Sequence, residues 1–446
     1  MKLLTGALVA VLVLGGCGSQ VTDSVDEGSQ SAADAVPGAW DIDFANSYAG
    51  SGTGLSPTGE DGVDVVATQP DGKLVVGGDF DSYNGNTKVN LLARFTQDGS
   101  LDTAFTNAYA GTGVGLDAKG AVEGVAVQPD GKIVVVGYFT NYNGKKAPGI
   151  ARFNSDGSLD ADFSNNDPTK GGITGVASTV ALQRDGKIVI GGQFTVGPEG
   201  KSVENVARFN ADGSLDSDFI KTYGNGGKGL VGNFGVLSVA VQSDGKILVG
   251  GDYQKYNGDA KANKLTRFNP DGSLDAAFTK TYAGTGNGLN GFVMGMKVQP
   301  DGKIVLTGNF TGYNANAKVN GLARFNSDGS LDTAFANTYA GPGTGLDFGA
   351  DNLAVQGDGG IVVVGAFSKY NGNPRVNHLA RFNSDGSLDA TFAKNYAGAG
   401  TGLDFTVHAI DVAGSEILVG GIFTKYNGDT KANLLTRFEG AEGGTP

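Results

Sequence analysis

The residues of this 446-residue chain best suited to chemistry stand in one phrase, RFNSDGSLD, at 152–160. The phrase returns letter for letter at 324–332 and 381–389, and near copies begin at Arg94, Arg208 and Arg267. Asn154, Asp156, Ser158 and Asp160 alternate, as oxygen ligands of a hard cation would, so calcium is the first chemistry to weigh. A calcium loop of the EF-hand kind places its glycine sixth and adds a distant acidic ligand. In NSDGSLD, Gly157 is fourth, and the phrase falls where a hairpin must turn. Asp-Gly turn chemistry accounts for it better. Arg152 recurs with Asp160 in each copy, which predicts a structural ion pair across the hairpin, not a catalytic one. No cofactor and no metal site are expected, and calcium at these turns is the alternative.

The tyrosines are placed as regularly. Twelve of 14 fall in two sets, Tyr48, 109, 223, 282, 339 and 396, and Tyr83, Tyr142, Tyr256, Tyr313, Tyr370 and Tyr426, the latter mostly in YNG. Both sets should emerge on one face of an up-and-down sheet array, with Asp-rich turns and Lys73, 132, 187, 246 and 303 on the other. Rings beside amides suit sugars or peptides. The second set, with His408, is therefore the candidate ligand site, and packing between repeats is the competing use of the rings. His408, Lys297 and Asn352 replace small residues on innermost strands. The third repeat lacks both tyrosines, and its loops 164–175 and 195–205 are a candidate notch for a ligand or partner. YAGTGVGLD (109–117) is no phosphate loop, because no helix is expected to follow it. No Ser–His–Asp or Cys–His arrangement is present to support hydrolysis.

These side chains need a scaffold with a period. PDG-type turns put aspartate at 71, 130, 185, 244, 301 and 358, and VAGSE (412–416) is a degraded seventh copy. Seven units follow. Each reads as four short strands: in the first, VDVVATQ (63–69), KLVVGGDF (73–80), NLLARFT (90–96) and SLDTAF (100–105). Twenty of the 24 phenylalanines fill three columns, typified by Phe80, Phe95 and Phe105, with Tyr253 in the fourth unit's slot of the first column. They predict a core in which each buried ring contributes about 1.5–3 kcal/mol. The expected fold class is all-β: a seven-bladed β-propeller over 38–440, with four antiparallel strands per blade. The last unit ends at LLTRFEG (434–440), and AWDIDF (39–44) matches SLDTAF. The N-terminal strand is therefore expected to complete the last blade and close the ring.

Composition narrows the partners. A net charge of −13 repels phosphate backbones, so nucleic acid is not an expected partner. One cysteine and two histidines exclude an internal disulfide and any Cys- or His-rich metal cluster. Lys2 precedes the apolar run LLTGALVAVLVL, and then LGGC (Leu14–Cys17), which resembles a bacterial lipobox. That resemblance implies a lipoprotein signal peptide over 1–16, lipidation at Cys17 and, with Gly18 next, compatibility with the outer membrane. Residues 17–37 read as the lipidated cysteine and a flexible tether, and 441–446 as a C-terminal tail.

Units of the form VAVQPDGKIVVGG…YNG…LARFNxDGSLDxxF, over about 39–440, resemble the bacterial delta-60 repeat family. The resemblance implies a β-propeller in secreted and cell-surface proteins, and it implies no catalytic residues. The expectation is a monomeric binding or interaction module, held at the bacterial cell envelope by its lipid alone. Its ligand would be a glycan or an envelope or surface protein. A propeller hydrolase or lyase acting at the tyrosine face or the channel, and a purely structural envelope protein, are the alternatives.

Overall fold

The computed structural model describes residues 36–117, 120–163, 173–197 and 202–440. The lipobox, Cys17, the tether up to residue 35 and the tail 441–446 lie outside the described residues, as does most of the 164–175 loop. Among the described residues the chain forms seven three-stranded antiparallel sheets and one two-stranded hairpin. Sheet one consists of Leu55–Thr68, Leu74–Tyr83 and Leu92–Phe95. Sheets two to seven repeat this order, ending with Val407–Ala413, Glu416–Gly421 and Leu435–Glu439.

The second strands, such as Ile133–Tyr138, are buried almost throughout, as their unbroken apolar runs predict for strands covered on both faces. All three phenylalanine columns and Tyr253 are buried. The first strands of successive sheets pack against one another, and the first strand of sheet one also packs against that of sheet seven.

The expected fourth strand is a correction. Only one of its residues pairs, as in the Phe95–Leu101 and Phe153–Leu159 bridges. The chain then turns into a helix: α1 (Ile42–Ala49), α2 (Thr103–Ala110), α3 (Ser217–Gly224), α4 (Ala276–Ala283), α5 (Thr333–Ala340) and α6 (Ala390–Ala397). The aspartate of SLD caps α2 to α6, and Asp41 of AWD caps α1. Asp102 Oδ1 accepts from the Phe105 N–H at 3.1 Å, an arrangement worth about 1 kcal/mol. Phe105 and Tyr109, four apart and stacked at 6.4 Å, share the buried side of α2. Gly111 (φ 55°) ends it. The alternating apolar–polar letters of SLDTAF fit a strand, but the cap and the i, i+4 aromatic pair prevail.

The N-terminal segment lies against sheet seven. Gly38 N–H donates to the Glu439 carbonyl (2.6 Å), Asp41 N–H to Arg437 (3.0 Å), and Glu439 N–H to Ala39 (2.9 Å). Trp40 pairs with Phe438 and donates its indole N–H to Thr436 Oγ1 at 2.7 Å.

Candidate functional site

The repeated acidic phrase builds framework. Asp156 Oδ1 accepts from the Ser158 N–H and hydroxyl at 2.9 and 2.7 Å, closing its own turn. Asp160 faces elsewhere, toward Arg152 Nε (2.8 Å) and Lys132 Nζ (3.0 Å). The candidate calcium oxygens thus do not converge, and no group of three or more metal-ligating side chains occurs among the described residues. The predicted ion pair is present in every unit, from Arg94–Asp102 at 2.9 Å to Arg437–Asp41 at 2.6 Å. Burial alone would raise the Asp102 carboxyl. The Phe105 N–H, Lys73 and Arg94 outweigh it and hold the group below the usual carboxylate range. Six of the seven arginines also reach across a seam. Arg94 donates to the Ser155 carbonyl of the next unit at 2.5 Å, and Arg437 to Gln97 at 2.7 Å. Arg381 differs: it pairs with Asp358 and Asp389 and bonds Gln356 within its own unit.

The tyrosine site also needs correction. Tyr83, Tyr142, Tyr256, Tyr313, Tyr370 and Tyr426 are only 6–8 % exposed. Each hydroxyl donates to the carbonyl of a tyrosine in the other set: Tyr142 to Tyr109 at 2.6 Å, Tyr256 to Tyr223 at 2.6 Å, Tyr370 to Tyr339. The other set is fully buried in the helices, where Tyr109 donates to the Asn90 carbonyl and accepts from the Leu116 N–H. Burial raises these phenols, Tyr256 and Tyr426 to about 12. The rings lock adjoining units together, because a large aromatic with two satisfied polar partners stabilises more inside than outside.

His408 lies elsewhere, in a cavity of about 450 Å³ lined by residues from all seven first strands. Every first strand skips one residue in its pairing, leaving a bulge at Asp64, Glu123, Ser178, Leu237, Met294, Asp351 and His408 in chain order. A bulge re-aims its extra side chain, and all seven line this cavity. The second strand accommodates the bulge with glycine: a side chain at Gly78 would run into the Gly62 carbonyl. Lys297 and Asn352, singled out with His408 in the sequence, line the same space. His408 Nδ1 stands 3.1 Å from Asp351 Oδ2, and Asn352 Nδ2 donates to the His408 carbonyl at 3.4 Å. The arrangement offers a carboxylate-paired imidazole and hydrogen-bonding groups around one cavity.

Sequence reasoning missed a neighbouring set. Phe234, Phe348 and Phe405 are 59 %, 64 % and 56 % exposed, and Phe292 is half-buried beside Phe234 at 5.9 Å. Each precedes its sheet's bulge residue by two or three positions. They are the phenylalanines outside the three repeating columns, which was the signal available.

Residues 69–105, 128–163, 183–219, 242–278, 299–335 and 356–392 match the sequence model of a β-propeller domain of unknown function, DUF5122. This chain is a β-propeller repeat protein. Each matched stretch runs from the turn after a first strand to the phenylalanine column that follows SLD, and the seventh unit lies outside the matches. The propeller is similar to the WD40 β-propeller domain of Doa1, at 15 % identity and a TM-score of 0.47, over 87 % of this chain and 95 % of that one. It is also similar to the extracellular domain of the putative hybrid two-component system BT4673 from B. thetaiotaomicron, at 12 % identity and 0.43, over 86 % of this chain and 39 % of that one. A third similar structure is PorZ, a bacterial surface component of the type-IX secretion system of Porphyromonas gingivalis, at 12 % identity and 0.43, over 86 % and 47 %. The propeller thus spans less than half the length of the last two. No curated protein matches it.

Proposed function

We propose that this chain is a lipid-anchored, seven-bladed propeller of the bacterial cell envelope that binds glycan or protein ligands at one end of its channel. The observation that carries the reading is the set of bulge residues. Seven side chains of six kinds, one from each first strand, surround a single cavity in an otherwise repetitive framework. A scaffold has no use for such variety, whereas a site does. In favour of seven closed blades stand the contact between the first strands of sheets one and seven, the Trp40–Phe438 bridge and the Arg437 bond to Gln97. In favour of the anchor stands LGGC ending at Cys17.

The binding test is a glycan array and an envelope pull-down with the full chain. A ligand retained by the native protein and lost in Asp351→Asn or His408→Ala, with unchanged melting temperature, is the expected result. Ligand capture indifferent to both substitutions would sink the channel site. For the ring, deleting residues 38–44 should lower the melting temperature sharply; a truncated chain that melts like the native one ends the closure idea. For the anchor, Cys17→Ser should abolish palmitate incorporation in a bacterial host. A second reading, a hydrolase or lyase using the same cavity, has the His408–Asp351 pair in its favour. It requires turnover that His408→Ala removes.

A further inference from the structure

Three sheets carry a pairing that the other four lack. On sheets four, six and seven the residue three places before the bulge is Phe234, Phe348 or Phe405, each more than half exposed. On the same three sheets the residue before the YNG tyrosine is Lys255, Lys369 or Lys425, all exposed. The remaining units have glycine or aspartate at the first place and no lysine at the second. Backbone pairing brings each ring and cation to one corner. The Asp347 N–H donates to the Lys369 carbonyl at 3.0 Å and the Asp404 N–H to that of Lys425 at 3.1 Å, one residue before Phe348 and Phe405. Val231, three before Phe234, pairs with Lys255. Asp347 and Asp404 spend their carboxylates on the turn itself. Asp347 accepts from the Ser368 N–H and hydroxyl and the Lys369 N–H at 2.8, 2.7 and 2.9 Å, and Asp404 does the same with Thr424 and Lys425. The three lysine ammoniums have no hydrogen-bond or ion partner among the described residues.

The first strands of sheets four to seven pack in succession, so the three phenylalanines recur at one level along one arc. Phe234 meets Phe292 of sheet five at 5.9 Å, and the Lys264 ammonium stands 4.9 Å from that second ring. The exposed aspartates of the DG turns, such as Asp71, Asp130, Asp185, Asp244 and Asp301, lie at the far ends of the first strands, away from these rings. Phenyl groups left in water gain nothing for the framework, whose aromatic columns are buried. We infer that this surface docks on a lipid bilayer carrying anionic phosphate headgroups. The phenyl rings enter the interfacial layer, where apolar side chains leave water. The lysines reach the phosphates just outside it. A ring and a cation repeated at one level on neighbouring sheets match a uniform surface of phosphates over acyl chains. A single glycan or peptide asks for a shaped recess, and none of the three phenylalanines lines the seven-strand cavity. Cys17, read as the lipidated residue, precedes Val36 by 19 residues, so an anchored chain keeps a bilayer within reach. The lipid is then not the sole contact with the membrane.

The inference goes beyond the channel-binding reading, and the test separates the two. The full chain carrying Phe405→Trp would be titrated with vesicles of dibrominated phosphatidylcholine, with or without phosphatidylglycerol. Bromine quenches an indole that enters the bilayer, and Trp40, the sole native tryptophan, gives the baseline. The expected result is half-quenching at a lipid concentration at least tenfold lower when phosphatidylglycerol is present. Lys255→Glu/Lys369→Glu/Lys425→Glu should raise that concentration at least tenfold, and Phe348→Ala at least threefold, with unchanged melting temperature. His408→Ala should leave it unchanged, whatever it does to ligand capture. Quenching no greater than that of Trp40 alone, or a titration indifferent to phosphatidylglycerol or to the lysine substitutions, overturns the inference and leaves the channel site standing. A glutamate–leucine decapeptide or an anionic glycan that shifts the indole emission while vesicles do not also overturns it, in favour of a protein or glycan at this surface.

Discussion

Tyr339, Tyr370 and Phe348 belong to the same repeat, yet the tyrosines are buried and the phenylalanine is 64 % exposed. The more polar rings are inside and the least polar is outside. The difference lies in columns. Tyr339 and Tyr370 recur at matching positions in nearly every unit, and they do so because each seam needs the same lock: Tyr339 against Phe382 at 5.4 Å, its hydroxyl between the Asn320 carbonyl and the Leu346 N–H. Phe348 has no counterpart in the first three sheets, and nothing in the framework covers it. What recurs in this chain holds the molecule together, and what does not recur is presented outward.

The largest expected effect tests the buried member of that pair. Tyr339→Ala removes a ring packed on Phe335, Tyr370 and Phe382 and strands two backbone groups. It should cost about 3–5 kcal/mol in urea unfolding. A loss below about 1 kcal/mol would mean that the recurring rings are not the locks. Tyr339→Phe keeps the ring and removes only the hydroxyl, so its cost should be about 1–3 kcal/mol.

Next comes the charged framework. Asp332→Ala takes from Arg324 its partner at 2.9 Å and from α5 its cap, and should cost about 3 kcal/mol. The equivalent Asp389→Ala should cost less, because Arg381 retains Asp358 and Gln356. Equal losses at the two sites would show that the Arg381 departure is energetically silent.

The same carboxylates set an acid limit. Burial would raise Asp332, but the Phe335 N–H and Arg324 prevail and its pKa is lowered in the folded protein; Asp102, Asp160, Asp216 and Asp275 are lowered likewise. A group with a depressed folded pKa stabilises above its unfolded value, about 3.9 for aspartate, and loses that contribution as pH falls through the folded value. Urea midpoints should therefore hold steady above about pH 5 and fall between about pH 4 and 2. A midpoint that rises over that acid range would reverse the assignment.

Much of this framework was legible in the letters. The period, the three phenylalanine columns, the Arg–Asp pair and the match of AWDIDF to SLDTAF were all readable, because each is a local pattern repeated. The helix after SLD was misread as a strand: six letters of alternation outweighed an aspartate three residues before Phe105 and a phenylalanine four before Tyr109. For the tyrosines a ligand site and packing between repeats both stood open, because composition reveals which residues share a face and not how deeply they sit; their burial agrees with packing. The cavity was half legible. His408, Lys297 and Asn352 stood out as departures, but the bulge that brings His408 beside Asp351 depends on cross-strand register, which no single strand displays.

The smallest expected effect falls on the outward-facing member of the opening pair. Phe348→Ala removes a ring already in water, so unfolding should change by no more than about 0.5 kcal/mol. If the ring is idle surface, replacing it with alanine should also leave every binding probe unchanged. If it is part of the docking surface, stability and affinity must separate, the first unmoved and the second weakened. Tyr339→Ala cannot make that distinction, because it lowers both by lowering the folded population. A stability loss at Phe348 comparable to that at Tyr339 would mean that the exposed ring is also framework, and the contrast between recurring and non-recurring aromatics would fail with it.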